Sequence, residues 1–272
     1  EEPPHPLNKE ALEIALEIAA QFHAKVPDEL ETMRKVVVDG SDPSAFQRTI
    51  LVGFDGYLEV GSKKVHIPSI FLEEESSGIE HSDKDTVVYS VDRLGIPLVE
   101  IDTAPEISSP EEAEEVARRI GLLLRLTGKV QRGIGSIRQD VNISIKEGAR
   151  VEIKGFQELE SMPTIIANEI QRQLNLIKIK EKLIKNKASV GMPVDLSYIF
   201  ASTKVNLISK SISSGGVVLG FKLKGFKGLL GFEINKDRRF GTELSDYAKL
   251  AGVGGLIHSD EDLSKYEFSN EE

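Results

Sequence analysis

Between Gly135 and Gly155 the chain alternates apolar and polar residues so strictly that few local folds accommodate it. Ile137, Val141, Ile143 and Ile145 share one parity, and Arg138, Asp140, Asn142 and Ser144 the other, as in a strand with one buried face. After Lys146-Glu147-Gly148 the alternation resumes, with Ala149, Val151 and Ile153 set against Arg150, Glu152 and Lys154. A hairpin keeps both apolar sets on one face only if its loop holds an odd number of residues. A loop of about three, with Gly148 left-handed, meets that condition. The resulting register sets Asn142 opposite Glu152, Asp140 opposite Lys154 and Ser144 opposite Arg150. Two readings of this polar face stay open. It is either a solvated surface with cross-strand ion pairs of ~0.2–1 kcal/mol each, or a floor for phosphate and metal. The second follows because Asp, Asn and Glu are hard oxygen ligands and Arg and Lys neutralise phosphate.

The 272 residues suffice for one large and one small domain. A net charge of −10 argues against non-specific nucleic-acid binding over the whole surface, so any RNA contact is expected to be local. With no cysteine there is no disulfide frame or thiolate metal site, and the five histidines lack ligand spacing, which disfavours zinc. No long apolar run or export signal is present, so no membrane association is expected and the cytoplasm is the default location. The opening Glu1-Glu2-Pro3-Pro4-His5-Pro6 reads as mid-protein sequence, as expected of a fragment.

Asn8 is an N-cap for a helix over 9–23, which Pro27 is expected to end. An antiparallel meander follows, with strands over 33–38, 48–54, 57–60 and 64–72 and turns at Asp39-Gly40 and Asp55-Gly56. Glu73-Glu74-Glu75 comes directly after the last of these strands. Such a run is either a solvated loop or a strand end that delivers carboxylates to a cation. Glu100 sits mid-strand between Val99 and Ile101, where an acid is costly unless it is paired or its face is open. Ser109-Pro110-Glu111-Glu112 opens a helix through a capping box, and Gly128 closes it. A longer helix begins near Pro163 with Ile166, Ile170, Leu174 and Ile177 along one stripe, and lysines crowd its far end. Past the polar stretch 186–193 the chain turns to short apolar runs punctuated by glycine, a helix over 242–250 and a last strand near Leu256. No Walker or dinucleotide fingerprint accompanies these glycines.

Several phrases taken together resemble one family. They are Leu72-Glu73-Glu74-Glu75, Asp92-Arg93-Leu94-Gly95-Ile96-Pro97-Leu98-Val99-Glu100-Ile101, Ile107-Ser108-Ser109-Pro110-Glu111-Glu112-Ala113, Gly135 to Ser144, and Arg150-Val151-Glu152-Ile153-Lys154. In order, they are similar to the kinase subunits of tRNA-dependent amidotransferases, the B/E family. Arg34-Lys35, Gln139 before Asp140 and Gly155 after Lys154 resemble its archaeal E branch more than its B branch. Gly228-Leu229-Leu230-Gly231, Arg238-Arg239-Phe240-Gly241-Thr242-Glu243 and Gly252-Val253-Gly254-Gly255 resemble the insertion domain that the E branch shares with bacterial-type aspartyl-tRNA synthetases.

The resemblance implies an α+β fold: a large, mixed, mainly antiparallel cradle-like kinase domain over 1–192 and a small α+β insertion domain over 193–272. It implies an enzyme that uses ATP and Mg²⁺ to phosphorylate the side-chain carboxylate of a glutamate mischarged on tRNA(Gln). Ammonia from a partner, the asparaginase-like D subunit, then displaces phosphate to leave glutamine. Mapped onto this sequence, Glu73, Glu74, Glu100 and Glu152 are the expected metal-binding carboxylates, with Glu74, Glu100 and Glu152 central to catalysis. Arg34, Lys35, Arg138, Asp140, Asn142, Arg150 and Lys154 are expected around ATP. The family's opening Gly-Leu-Glu-x-His-type strand and its later helical and tail domains have no counterpart in these residues, so part of a longer polypeptide is expected. The rival class is a tRNA- or partner-docking module of the same fold without catalysis. Such a module has no reason to keep acids at costly strand positions.

Overall fold

The computed structural model describes residues 6–83, 85–133 and 135–269. The chain forms two compact, interleaved units, one of Glu1–Gln139 with Gly155–Pro163 and the other of Asp140–Lys154 with Thr164–Glu272.

In the first unit α1 (Lys9–Gln21) is capped by Asn8, whose side chain accepts the Ala11 N–H at 3.0 Å. It ends well before Pro27, because Phe22 closes the last turn and His23 adopts a left-handed φ of 54°. Next come β1 (Thr32–Val36), β2 (Phe46–Val60), β3 (Lys63–Glu74), β4 (Gly78–Ser82), β5 (Val87–Ser90), β6 (Pro97–Ile101) and α2 (Pro110–Leu126). The sheet order is β1-β2-β3-β6, antiparallel at every step, while β4 and β5 form a separate hairpin. Asp55-Gly56 does not turn the chain. It lies inside the 15-residue β2, with Asp55 at φ 53°, and the hairpin to β3 closes at Gly61-Ser62. Gly56 is required because a Cβ there would sit 2.6 Å from the Phe22 carbonyl oxygen, where the sheet meets the end of α1.

One sheet face carries Ile50, Leu58, Val65, Ile67, Ile70 and Leu72 against Ala15, Ile18 and Phe22 of α1 and Val116 and Leu124 of α2. Both helices present an apolar stripe at 3.6-residue spacing, so burial on one sheet face stabilises helices and sheet together. Ser109 caps α2 by accepting the Glu112 N–H at 3.1 Å. The return bond differs from the expected box, because Glu112 accepts the N–H of Ser108, one residue earlier, at 2.8 Å. Glu112 also pairs with Lys63. That pairing, with the Ser108 bonds second, holds the Glu112 carboxyl down to a pKa of about 2. Gly128, at φ 68°, follows the helix as its left-handed stop.

The second unit takes in most of β7 (Gln139–Ile143) and β8 (Val151–Phe156), which pair with each other, and α3 (Met162–Lys185). Short strands follow: β9 (Ser189–Val190), β10 (Val194–Asp195), β11 (Leu219–Gly220), β12 (Leu223–Lys224), β13 (Glu233–Asn235) and β14 (Arg238–Arg239), with α4 (Asn206–Ser213) and α5 (Phe240–Leu250). No strand forms near Leu256. α3 buries Met162, Ile166, Glu169, Gln173 and Ile179, whereas Leu174 is exposed, so its inner face is rotated from the expected stripe and partly polar. The buried carboxylates of this region are paired with arginines, whereas the Gln173 side-chain oxygen has no partner among the described residues. Arg172 binds Glu169 at 2.9 Å and grips Glu243, and Arg238 reaches Glu243 at 3.2 Å and Asp246 at 2.8 Å. Burial alone would raise the Glu243 pKa, but the Arg172 and Arg238 contacts outweigh it and the carboxyl stays ionised with a lowered pKa. Mixed α and β structure with mainly antiparallel pairing is thus observed, and among the described residues no helix is long and apolar enough to cross a membrane.

Candidate functional site

Strand parity separates the acids that the sequence places side by side. Ile70 and Leu72 of β3 belong to the core, so Phe71 and Glu73 project from the opposite face of the sheet. Register then aligns Thr49 of β2 with Glu73, Glu73 with Leu98 of β6, and Phe71 with Glu100. Glu73 and Glu100 therefore stand diagonally on the same face. Glu73 is only 7% exposed. Its carboxylate accepts the Thr49 hydroxyl at 3.1 Å and the Lys35 ammonium, from β1, at 3.2 and 3.4 Å.

Glu100 has a raised pKa. Partial desolvation on the sheet face is the largest cause, followed by the negative charge of Glu73; the Lys35 charge opposes these, and a hydrogen bond to Glu73 and the charge of Asp102 add to the rise. Ionisation of Glu100 is thus disfavoured chiefly by its partial desolvation and by the neighbouring Glu73 charge. Asp102, two residues beyond Glu100, accepts the Ser69 hydroxyl at 2.6 Å. Local sequence pattern singles out neither Thr49 nor Asp102 as a site residue. The i, i+2 spacing from Glu100 is a signal for Asp102, whereas Thr49 needs the β2–β3 register.

The three successive acids go to three destinations. Glu74, of opposite parity to Glu73, lies on the other face of the sheet, gripped by the Arg48 guanidinium with one N–H···O bond of 2.8 Å. Its backbone carbonyl accepts Gln47 at 2.7 Å. Glu75 receives Arg138 at 3.0 Å. Arg34, registered with Arg48, places its guanidinium 4.6 Å over the Phe46 ring. Of the expected residues of this unit, Glu73, Glu100 and Lys35 are thus brought together, while Glu74, Arg34 and Arg138 take other partners.

In the second unit the hairpin strands alternate as expected. Val141 and Ile143, and Val151 and Ile153, are covered, while Asp140, Asn142, Glu152 and Lys154 are exposed, as is Arg150 just before β8. Lys154 lies 3.4 Å from Glu152 and 3.8 Å from Asp140. The connection is longer than three residues, with a turn in which the Gly148 N–H reaches the Ile145 carbonyl at 3.0 Å. Gly148 has no positive φ. A Cβ there would come within 2.2 Å of the Gln173 side-chain oxygen, so glycine serves a close approach of α3.

Among the described residues no group of three or more His, Asp or Glu side chains is arranged to hold a metal ion. Glu73 and Glu100 supply two hard oxygen donors on one sheet face, with the Lys35 ammonium already bound to the Glu73 carboxylate.

The family described as "GatB/GatE catalytic domain" matches residues 2–249 of this chain. The E subunit of glutamyl-tRNA(Gln) amidotransferase from Haloarcula marismortui is 52% identical over 261 residues, which cover 96% of this chain and 42% of that protein. Proteins of the same description from Methanocaldococcus jannaschii and Sulfolobus acidocaldarius are 52% and 49% identical over 275 and 281 residues, in each case across 100% of this chain and 44% of the relative. The chain spans less than half the length of these curated relatives.

Proposed function

We propose that this chain, which belongs to the GatB/GatE catalytic-domain family, is the kinase portion of a tRNA-dependent amidotransferase that converts Glu-tRNA(Gln) to Gln-tRNA(Gln). The observation that carries the proposal is the Glu73–Glu100 carboxyl pair, set with Lys35 and Thr49 on the sheet face away from the core. Holding a largely buried acid beside a second carboxyl costs stability, and a cation-binding task accounts for that arrangement.

In this reading the glutamyl side-chain carboxylate attacks the γ-phosphorus of ATP, releasing ADP and leaving an acyl phosphate. Ammonia from an asparaginase-like D subunit then adds to the acyl carbon and expels inorganic phosphate, which yields the amide. Mg²⁺, when bound, neutralises charge that spreads over the transferred oxygens. Glu73 and Glu100 would hold it, and Lys35 would neutralise a phosphate oxygen. Thr49 fixes the Glu73 rotamer by its hydrogen bond. Glu152, with Asp140, Asn142, Arg150 and Lys154, is assigned to ATP and metal contacts on the hairpin face, and Arg34, Arg138 and Glu74 to supporting roles within the first unit. The division into a kinase cradle over 1–192 and an aspartyl-tRNA-synthetase-type insertion domain over 193–272, and a cytoplasmic location, belong to the same proposal.

The test is ATP- and tRNA-dependent formation of Gln-tRNA(Gln) by the whole protein with its partner, comparing wild type with Glu73→Gln and Glu100→Gln. Each variant is expected to lose ~10²-fold or more, about 2.7 kcal/mol of transition-state stabilisation, with ammonia production by the partner intact. Near-normal conversion by both variants would remove the pair from the site.

A further inference from the structure

The second unit carries a concentrated positive surface that the proposed chemistry leaves unused. Residues 178–191 and 222–228 hold eight lysines and a single acid, Glu181, in a chain whose net charge is −10. On α3, Lys178, Lys182 and Lys185 follow i, i+4, i+7 spacing and so share one helix face. The chain then passes through Lys187, held at φ 48°, into β9, which pairs with β12 so that Ser189 faces Lys224. The Gly191 N–H bonds to the Lys222 carbonyl at 2.9 Å, and the Asn186 side chain to that of Gly225, also at 2.9 Å. These contacts hold β12 and its flanking residues beside the segment that leaves α3. Lys222 directly precedes β12 (Leu223–Lys224), so both lysines lie on this short ribbon.

All six of these lysines are exposed. Lys178 donates to the neutral Asn175 side chain at 3.2 Å, and Lys182 lies 5.0 Å over the Phe232 ring. Among the described residues none of the six forms an ion pair with a carboxylate. This contrasts with Arg172 and Arg238 of the same unit, which are neutralised by buried acids.

Lysines kept close together without counter-charges repel one another and are stabilised by an external polyanion. The helix face alone extends ~10 Å at 1.5 Å per residue, and the ribbon continues it. The surface is thus a track for several phosphates in succession, not a pocket for one. Lysine is a flexible point charge without the planar fork that reads bases, so such a track follows a backbone without selecting sequence.

We propose that this track, Lys178, Lys182, Lys185, Lys187, Lys222 and Lys224, binds the sugar–phosphate backbone of the tRNA substrate. The commitment to RNA rests on the function proposed above, whereas the affinity for a polyanion rests on the charge geometry alone.

The experiment compares the whole protein with the triple variant Lys185→Gln, Lys187→Gln, Lys224→Gln and the matching triple Lys→Arg. Binding of a tRNA transcript is measured across a salt series, alongside Gln-tRNA(Gln) formation. The Gln triple is expected to bind about tenfold or more weakly near physiological salt, with the log–log salt slope shallower by about two to three. KM for the charged tRNA should rise with kcat preserved, and the Arg triple should retain binding. Unchanged affinity and salt slope in the Gln triple would overturn the inference. So would lost binding to phosphatidylserine vesicles with RNA binding intact. A wild type without amidotransferase activity, but whose RNA affinity still falls in the Gln triple, would leave the track standing and sink the proposed reaction instead.

Discussion

The sheet face of the first unit and the hairpin face of the second display the same kinds of residue, acids beside lysines on alternating strands, and hold them in opposite ways. Glu73 is largely buried, fixed by Thr49 and Lys35, and close enough to Glu100 to raise its pKa. Glu152 and Lys154 are exposed, their ammonium-to-carboxylate distance is 3.4 Å, and Lys154 divides its charge between Glu152 and Asp140. Glu73 is shielded from water while Lys35 and Glu100 beside it are exposed, so the sheet face holds one buried acid at a cost and leaves its partners open to solvent. The hairpin face is held loosely and solvated, and a bound polyphosphate could rearrange it cheaply. Identical residue types therefore do not carry equal functional weight, and burial separates them.

The largest expected effect tests whether the loosely held face takes part in the reaction at all. Glu152→Gln keeps size and most hydrogen-bonding capacity while removing one charge, so folding should survive. Conversion of Glu-tRNA(Gln) by the whole protein should fall ~10²-fold, about 2.7 kcal/mol. Near-normal turnover with intact partner assembly would confine the site to the sheet face.

A middle-sized effect separates Glu74 from Glu73. Arg48→Met leaves the half-buried Glu74 carboxylate without its guanidinium and should destabilise the protein by ~1–3 kcal/mol in urea unfolding. Because this pair lies on the other side of the sheet, the stabilisation conferred by Mn²⁺ should not change. A Mn²⁺ response that vanishes with Arg48 would show that the two faces act as one site.

The parts of this arrangement legible in the sequence depend on local rules. Asn8 and Ser109 announce their helices because a side-chain oxygen must accept an orphan N–H, and Gly128 ends one because it tolerates φ > 0. Period-two alternation exposes the polar side of the hairpin, and Glu100 stands out as an acid inside a strand. Distant contacts decide the rest. Asp55-Gly56 has the composition of a turn, yet the chain runs straight through it because Lys25 bridges to Phe54 and the Phe22 carbonyl leaves room only for glycine. Gly148 likewise answers to Gln173, and α3 rotates to bury Glu169, which Arg172 pairs, and Gln173, whose side-chain N–H groups reach Glu169 and a hairpin carbonyl. Choosing Glu73 over Glu74 as the partner of Glu100 requires knowing which parity faces the helices.

The smallest effect concerns the scaffold at the start of α2. Glu112 titrates near 2 in the folded protein and near 4.5 when unperturbed, chiefly because of Lys63. A depressed folded-state pKa means that the stabilisation is fully present above about pH 4.5 and is lost as pH falls toward 2. For a pair this near the surface it should amount to less than ~1 kcal/mol. Glu112→Gln should therefore lower stability at pH 7 and converge with wild type near pH 2, whereas a constant difference across the range would assign the loss to packing.

The central claim, that the Glu73–Glu100 face holds a divalent cation, is tested most directly by titrating the whole protein with Mn²⁺ and following the free-ion signal by electron paramagnetic resonance. Wild type should bind Mn²⁺ saturably, that class of site should be lost in Glu73→Gln combined with Glu100→Gln, and it should be retained in Arg48→Met. Undiminished Mn²⁺ binding by the double variant would contradict it.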